Sequence, residues 1–132
     1  MKKMIALLAI TTIMLAAATA LADDVVTVNG AFKGALYSYL GKAHPVRLTK
    51  AQIALEPDFV LCDDNGKDYF VTNLSRSKKV SCINERVRVS GKIDEEGTLC
   101  ANCLEVYRGD TFVKIWDLDQ EIQERKAFLR QR

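Results

Sequence analysis

The side chains with the most chemistry in them are four cysteines, Cys62, Cys82, Cys100 and Cys103, two of which form the run Cys100-Ala101-Asn102-Cys103. Three uses compete for such a set. A C-x-x-C pair has the spacing of a thiol-disulfide centre, but a reactive pair sits at a helix N-terminus, where the dipole favours the thiolate. Here the pair heads a strand-like pattern with no tryptophan before it. Four thiolates also hold zinc, usually as two C-x-x-C knuckles, and only one knuckle is present. An even number of cysteines in a small exported domain reads first as structural disulfides, and that is the expectation adopted. No metal, no cofactor and no catalytic residue is expected. His44, the only histidine, precedes Pro45 in a loop-like stretch with no serine or acid pattern beside it, and reads as a surface residue. Asp63, Asp64, Asn65 and Asp68 crowd one turn, but the closing glutamate of a calcium loop is missing, and turn chemistry accounts for them.

The exported reading comes from the N-terminus. Lys2 and Lys3 precede nineteen uncharged residues, Met4 to Ala22, and Ala20-Leu21-Ala22 offers small residues where a signal peptidase reads. A retained anchor is the competing reading, since about 20 apolar residues span a bilayer. The second half of the run is largely alanine and threonine, too weakly apolar for a good anchor. Residues 1–22 are therefore expected to be a cleaved signal peptide, leaving 23–132 as one periplasmic or secreted domain with no membrane segment. The chain carries 19 Lys and Arg against 17 Asp and Glu, and the excess of two is Lys2 and Lys3. Removing them leaves no net charge, so overall charge gives no argument for nucleic acid.

The elements that must position these groups are mostly strands. Val25, Val26 and Val28 open a β-branched run that resumes after Asn29-Gly30 through Phe32, Leu36 and Tyr37, which predicts one long strand bent at Gly30 or Gly34. Residues 38–57 read as a connection with a helical turn at 49–55. Phe59-Val60-Leu61 and Tyr69-Phe70-Val71 flank Asp63-Asp64-Asn65-Gly66-Lys67, a hairpin around a turn that tolerates positive φ. A short helix or wrapped loop follows over 73–84. Residues 86–93 alternate with period two, placing Val87, Val89, Gly91 and Ile93 on one face. A last hairpin runs through Leu104, Val106, Phe112, Val113 and Ile115, and residues 117–132 carry Leu118, Ile122, Arg125 and Leu129 at helical spacing, with Asp117 or Asp119 as the cap.

Strand, connection, hairpin, short helix, hairpin, with Val87-Arg88-Val89-Ser90-Gly91-Lys92-Ile93-Asp94 before a Glu-Gly turn, resembles the OB-fold barrel of small exported bacterial proteins over about residues 25–116. The fold class expected is mainly β: a small OB-like barrel of five or six strands with a C-terminal α-helix. The long first connection, the sixth strand, the terminal helix and the cysteines depart from that pattern. The resemblance implies a binding face on the second and third strands and no catalytic residues. It also implies which cysteines meet: Cys62 with Cys100 at one end, and Cys82 with Cys103 at the other.

The expected binding face comprises Tyr69, Phe70, Arg86, Arg88 and Lys92. A solvated strand face is the competing account of its charges, and nucleic acid is not an expected partner. The function expected is a non-enzymatic exported binding or accessory domain for a small ligand or an envelope protein. The alternative is a cysteine-dependent thiol redox or metal-handling protein.

Overall fold

The computed structural model describes residues 24–132; the signal segment expected over residues 1–22 lies outside them. Ten elements follow in order: β1 (Val26–Gly34), α1 (Ala35–Tyr39), α2 (Lys50–Leu55), β2 (Phe59–Asp63), β3 (Asp68–Tyr69), α3 (Arg76–Val80), β4 (Val87–Ile93), β5 (Leu99–Arg108), β6 (Thr111–Asp117) and α4 (Leu118–Arg130). The strands form one antiparallel six-stranded sheet in the order β3-β2-β1-β4-β5-β6. The sheet is not closed into a barrel. Beyond β3, a single parallel bridge joins Val71 to Leu99 at the start of β5, where the Leu99 amide donates to the Phe70 carbonyl at 2.8 Å.

Alternation builds the core. The inward residues of β1, β2, β4 and β5, among them Phe32, Phe59, Leu61, Val87, Val89 and Leu104, are buried. Ile93 was expected on the same face as Val87 and Val89, but it is exposed, although Leu99 opposite it in the ladder is buried. Lys79 of α3 is buried as well, its Nζ held 3.0 Å from Asp58 Oδ1.

β1 is shorter than its sequence pattern suggests. The apolar residues Leu36 and Tyr37 continue as α1, because the Ala35 amide donates to the Asp58 carbonyl at 3.1 Å and the Leu36 amide to Glu56 Oε2 at 3.1 Å. A buried glutamate twenty residues away thus starts a helix that local alternation does not announce. The helical turn expected over 49–55 is present as α2. Its cap is a reciprocal box, in which the Gln52 amide donates to Thr49 Oγ1 and the Thr49 amide to Gln52 Oε1. Asp117 caps α4 by accepting from the Gln120 amide at 3.1 Å.

Two strands approach so closely that only glycine fits. A Cβ at Gly30 would lie 2.0 Å from the Cys62 carbonyl oxygen, and one at Gly91 would lie 2.1 Å from that of Cys100. Next to Gly91 the ladder slips: Gly91 faces Ala101 and Ser90 faces Cys103, so Asn102 is an extra, bulged residue.

Candidate metal centre

The four cysteines are thiols in this structure, and none is disulfide-bonded. The pairs Cys62 with Cys100 and Cys82 with Cys103 are not formed, and the surroundings of two of the thiols say what they do instead. Cys82 is fully buried and donates to the Lys79 carbonyl at 3.3 Å, within its own turn. Burial, with help from the charge of Glu85, pushes its thiol pKa up to about 12. Cys100 is exposed and Cys103 half-buried on β5, in a bulged strand and not at a helix N-terminus. Cys62 has different company.

Cys62 lies directly opposite Asp68 in the β2–β3 ladder. The turn between them is built by Asp63, whose Oδ1 accepts from the amides of Asn65 and Lys67 at 2.9 Å each, so the acid-rich turn is spent on its own backbone. The loop after α1 swings back over this hairpin and carries His44. It is tied down by Lys33 Nζ, which donates to the carbonyls of Pro45 (3.2 Å) and Val46 (3.1 Å), and by Asn84, which exchanges two hydrogen bonds with the backbone of Leu48. The ring of Tyr37 stands 6.1 Å from that of His44.

One ligand atom each of His44, Cys62 and Asp68 thereby come within 4.8 Å of one another. His44 Nε2 is 3.2 Å from Asp68 Oδ2 and 3.1 Å from Ser38 Oγ, and Ser38 Oγ donates to the same Asp68 oxygen. The side chains of His44 and Asp68 retain 14% and 25% of their exposure. The cluster is enclosed but reachable. Two of its buried polar atoms, His44 Nδ1 and Asp68 Oδ1, have no hydrogen-bond partner among the described residues.

The electrostatics favour a protonated thiol beside an ionised carboxylate. Burial raises the Cys62 thiol pKa, and the hydrogen bond and negative charge of Asp68 raise it further. Burial also works against the Asp68 carboxylate, but hydrogen bonds from Ser38, His44 and Cys62 outweigh it and hold the group below its ordinary range. A carboxylate, an imidazole and a thiol drawn together match the ligand types of zinc and similar borderline cations. The arrangement is not a hydrolytic triad, despite its serine, histidine and aspartate. A relay needs the acid on one ring nitrogen and the nucleophile on the other. Here both face Nε2, and the serine proton goes to the acid.

His44 was expected to be a surface residue without a serine or acid to recruit; the fold supplies both. The pairing of Cys62 with Asp68 follows from centring the hairpin on its five-residue turn. Ser38 and His44 come from a connection whose path no local pattern reveals. The residues expected to form a binding face are dispersed. Tyr69 is buried with Lys67 Nζ 4.8 Å over its ring, while Phe70 points outward. Arg86 makes a two-pronged ion pair with Asp64, and Arg88 makes one with Glu105 while lying 4.1 Å over the ring of Phe112. Lys92 stands exposed opposite Cys100. The local excess of positive charge is therefore largely met within the sheet.

No helix among the described residues is long and apolar enough to cross a membrane. Comparison of the chain with protein families, with curated proteins and with solved structures found no match.

Proposed function

We propose that this chain is an exported, non-enzymatic binding domain whose ligand is a borderline divalent cation of the zinc type, held by His44, Cys62 and Asp68. The observation that carries this reading is the convergence of three unlike donor side chains, from a loop and two strands, within 4.8 Å. The two unpartnered buried atoms support it, because a purely structural polar cluster satisfies its members. Three protein ligands leave a tetrahedral cation one open position. Such a site suits uptake, buffering or hand-over of a metal better than permanent structural retention. Binding would displace the Cys62 proton and free Ser38 from its role as stand-in donor.

The scaffold is read as OB-like. In its favour are the order of elements and the Val71–Leu99 bridge, which links the third strand to the fifth in parallel, as closure of such a barrel requires. Export is read from the Lys2-Lys3 pair, the uncharged run to Ala22 and the Ala-x-Ala end. The signal's removal from the mature chain is testable by N-terminal sequencing of the exported protein.

The test of function is a zinc titration followed by thermal unfolding, since a ligand that binds only the folded state raises its stability. Zinc should raise the melting temperature of the native chain, and cobalt should give the near-ultraviolet absorption of a thiolate-bound ion. Cys62→Ser should lose both signals. His44→Gln keeps a hydrogen-bonding amide in place of the ring, so it should fold normally without zinc yet lose most of the zinc-dependent gain. A melting temperature indifferent to zinc, or one raised equally in both variants, would sink the proposal.

A further inference from the structure

Helix α4 has thirteen residues, and none of them is buried. A helix of this length is marginal in water and needs a packed face. Its N-terminal half has one: it adjoins β5 and β6, and Trp116 Nε1 donates to Glu121 Oε2 at 2.8 Å. Its C-terminal half has none, and Phe128 and Leu129 are 58% and 67% exposed. Beside the helix runs an open groove of about 370 Å³ whose apolar lining is Leu74, Leu118 and Ile122. One end of α4 therefore offers two large apolar side chains, and the flank of its other end offers a place to put them.

A single chain cannot join the two. The knobs lie one to three turns further along the same straight helix than Leu118 and Ile122. A two-fold axis across the middle of α4 joins them twice, with Leu129 of each copy over Ile122 and Leu118 of the other. The charges agree with that orientation. Asp119, Glu121 and Glu124 lie in the first part of the helix, and Arg125, Lys126, Arg130 and Arg132 in the last part and just beyond. Antiparallel pairing sets Asp119 beside Arg130 on one flank and Glu121 beside Arg132 on the other; near the axis Arg125 and Lys126 meet their own copies, Arg125 with its charge already met by Glu121 of its own helix at 2.9 Å, whereas parallel pairing sets like against like along the whole helix. The helix dipoles oppose as well.

We infer that α4 is a self-association surface that pairs antiparallel with α4 of a second copy of this chain, giving a closed, isologous dimer. The contact is small, with four apolar side chains from each copy, so the dimer is weak and reversible and belongs to the low end of interface sizes. The inference is independent of the metal reading, because no residue of α4 belongs to the cluster at Cys62.

Sedimentation velocity over a wide range of protein concentration tests it. The sedimentation coefficient should rise from monomer towards dimer as concentration increases, and by the same amount in Cys62→Ser. Leu129→Asp should hold the protein monomeric with an unchanged melting temperature at low concentration, since an exposed residue contributes little to the monomer fold. Asp119→Lys and Arg130→Glu should each weaken the dimer several-fold, and the two together should restore it. A monomer at all concentrations overturns the proposal. So does a dimer that survives Leu129→Asp, or a double charge exchange that fails to recover association.

Discussion

Gly30 is the residue on which the geometry makes its sharpest demand. It faces Asp63 on β2 and Val87 on β4, so it is clamped from both sides of β1. A Cβ there would stand 2.0 Å from the Cys62 carbonyl oxygen, 2.8 Å from its carbon and 3.0 Å from Asp63 Cα. Non-bonded carbons rest at about 3.5–4.0 Å, so β2 would have to withdraw by roughly 1 Å or more. The obstacle is backbone, which cannot swing aside as a side chain does. Overpacking of this kind costs about 1–3 kcal/mol, and stretching one or two ladder hydrogen bonds adds about 1 kcal/mol more. We expect Gly30→Ala to lose about 3 kcal/mol. With a urea dependence of about 1–1.5 kcal/mol per molar for a domain of this size, the unfolding midpoint should fall by about 2 M. Gly34→Ala is the internal comparison. Its Cβ would meet the carboxylate of Glu56 at 2.1 Å, which is a side chain that can turn away at the loss of its bond to the Leu36 amide. That should cost about 1 kcal/mol. Because the Cys62 backbone sits over Gly30, Gly30→Ala should also weaken zinc binding. Urea curves within about 0.5 kcal/mol of each other for Gly30→Ala and the native chain would refute the reasoning, since surface substitutions fall within that margin.

Three further outcomes follow from the burial of particular groups. The Lys79 ammonium is buried while its partner Asp58 is half exposed. Asp58→Ala, which strands the cation, should cost about 2 kcal/mol in urea unfolding, whereas Lys79→Met, which strands only a hydrated carboxylate, should cost less than about 1 kcal/mol. The order reversed would show that the pair is not what keeps Lys79 inside. The thiols should differ in reactivity towards a disulfide reagent at pH 8: Cys100 reacts first and Cys82 only on unfolding, because Cys100 is exposed and Cys82 is fully buried. The folded pKa of Cys82, about 12, lies above its ordinary 9.0. Its contribution to stability is thus complete below about pH 9 and is lost as pH rises from there towards 12. Stability that stayed level over that window in the native chain but not in Cys82→Ala would contradict the assignment.

What the sequence tells and what it conceals divide along range. The hairpin at residues 59–71, the helical turn of α2, the alternation of β4 and the Asp117 cap of α4 are all set by neighbours within a few residues, and all are legible. α1 is not, because its start depends on Glu56 and Asp58, residues from the far side of a loop. The C-x-x-C run was read as the head of a strand, and it is one; only its bulge at Asn102 stays hidden. Its spacing matches a redox motif, yet Cys100–Cys103 is a strand with one bulged residue. Asn73 pins that strand by accepting from the Ala101 amide at 2.8 Å and donating to the Ala101 carbonyl at 2.6 Å. The candidate centre is the extreme case: its four residues span positions 38 to 68, and only the Cys62–Asp68 pair is close along a ladder. The charges around β4 follow a different kind of arithmetic. Each of Arg86, Arg88 and Arg108 has an acid within reach, Asp64, Glu105 and Glu85, and pairing cancels what a count along one strand leaves standing.

The position of the cluster also has a structural logic that bears on its chemistry. β3 is two residues long and forms the edge of the sheet, where unpaired backbone invites pairing with other chains. The loop that carries His44 crosses over the hairpin, and the bonds from Ser38 and His44 to Asp68 fasten it to β3. Fastening a loop to a hairpin requires only a satisfied polar pair. It does not require a thiol facing the same carboxylate, nor does it explain why His44 Nδ1 and Asp68 Oδ1 are enclosed without partners. A cation drawn in between His44, Cys62 and Asp68 would tighten the same loop against the same hairpin, since its three ligands come from the loop, β2 and β3. Metal binding and loop closure would then be one event: the loaded protein should resist unfolding, and cleavage of the loop around His44, more than the metal-free protein does, through the same three side chains.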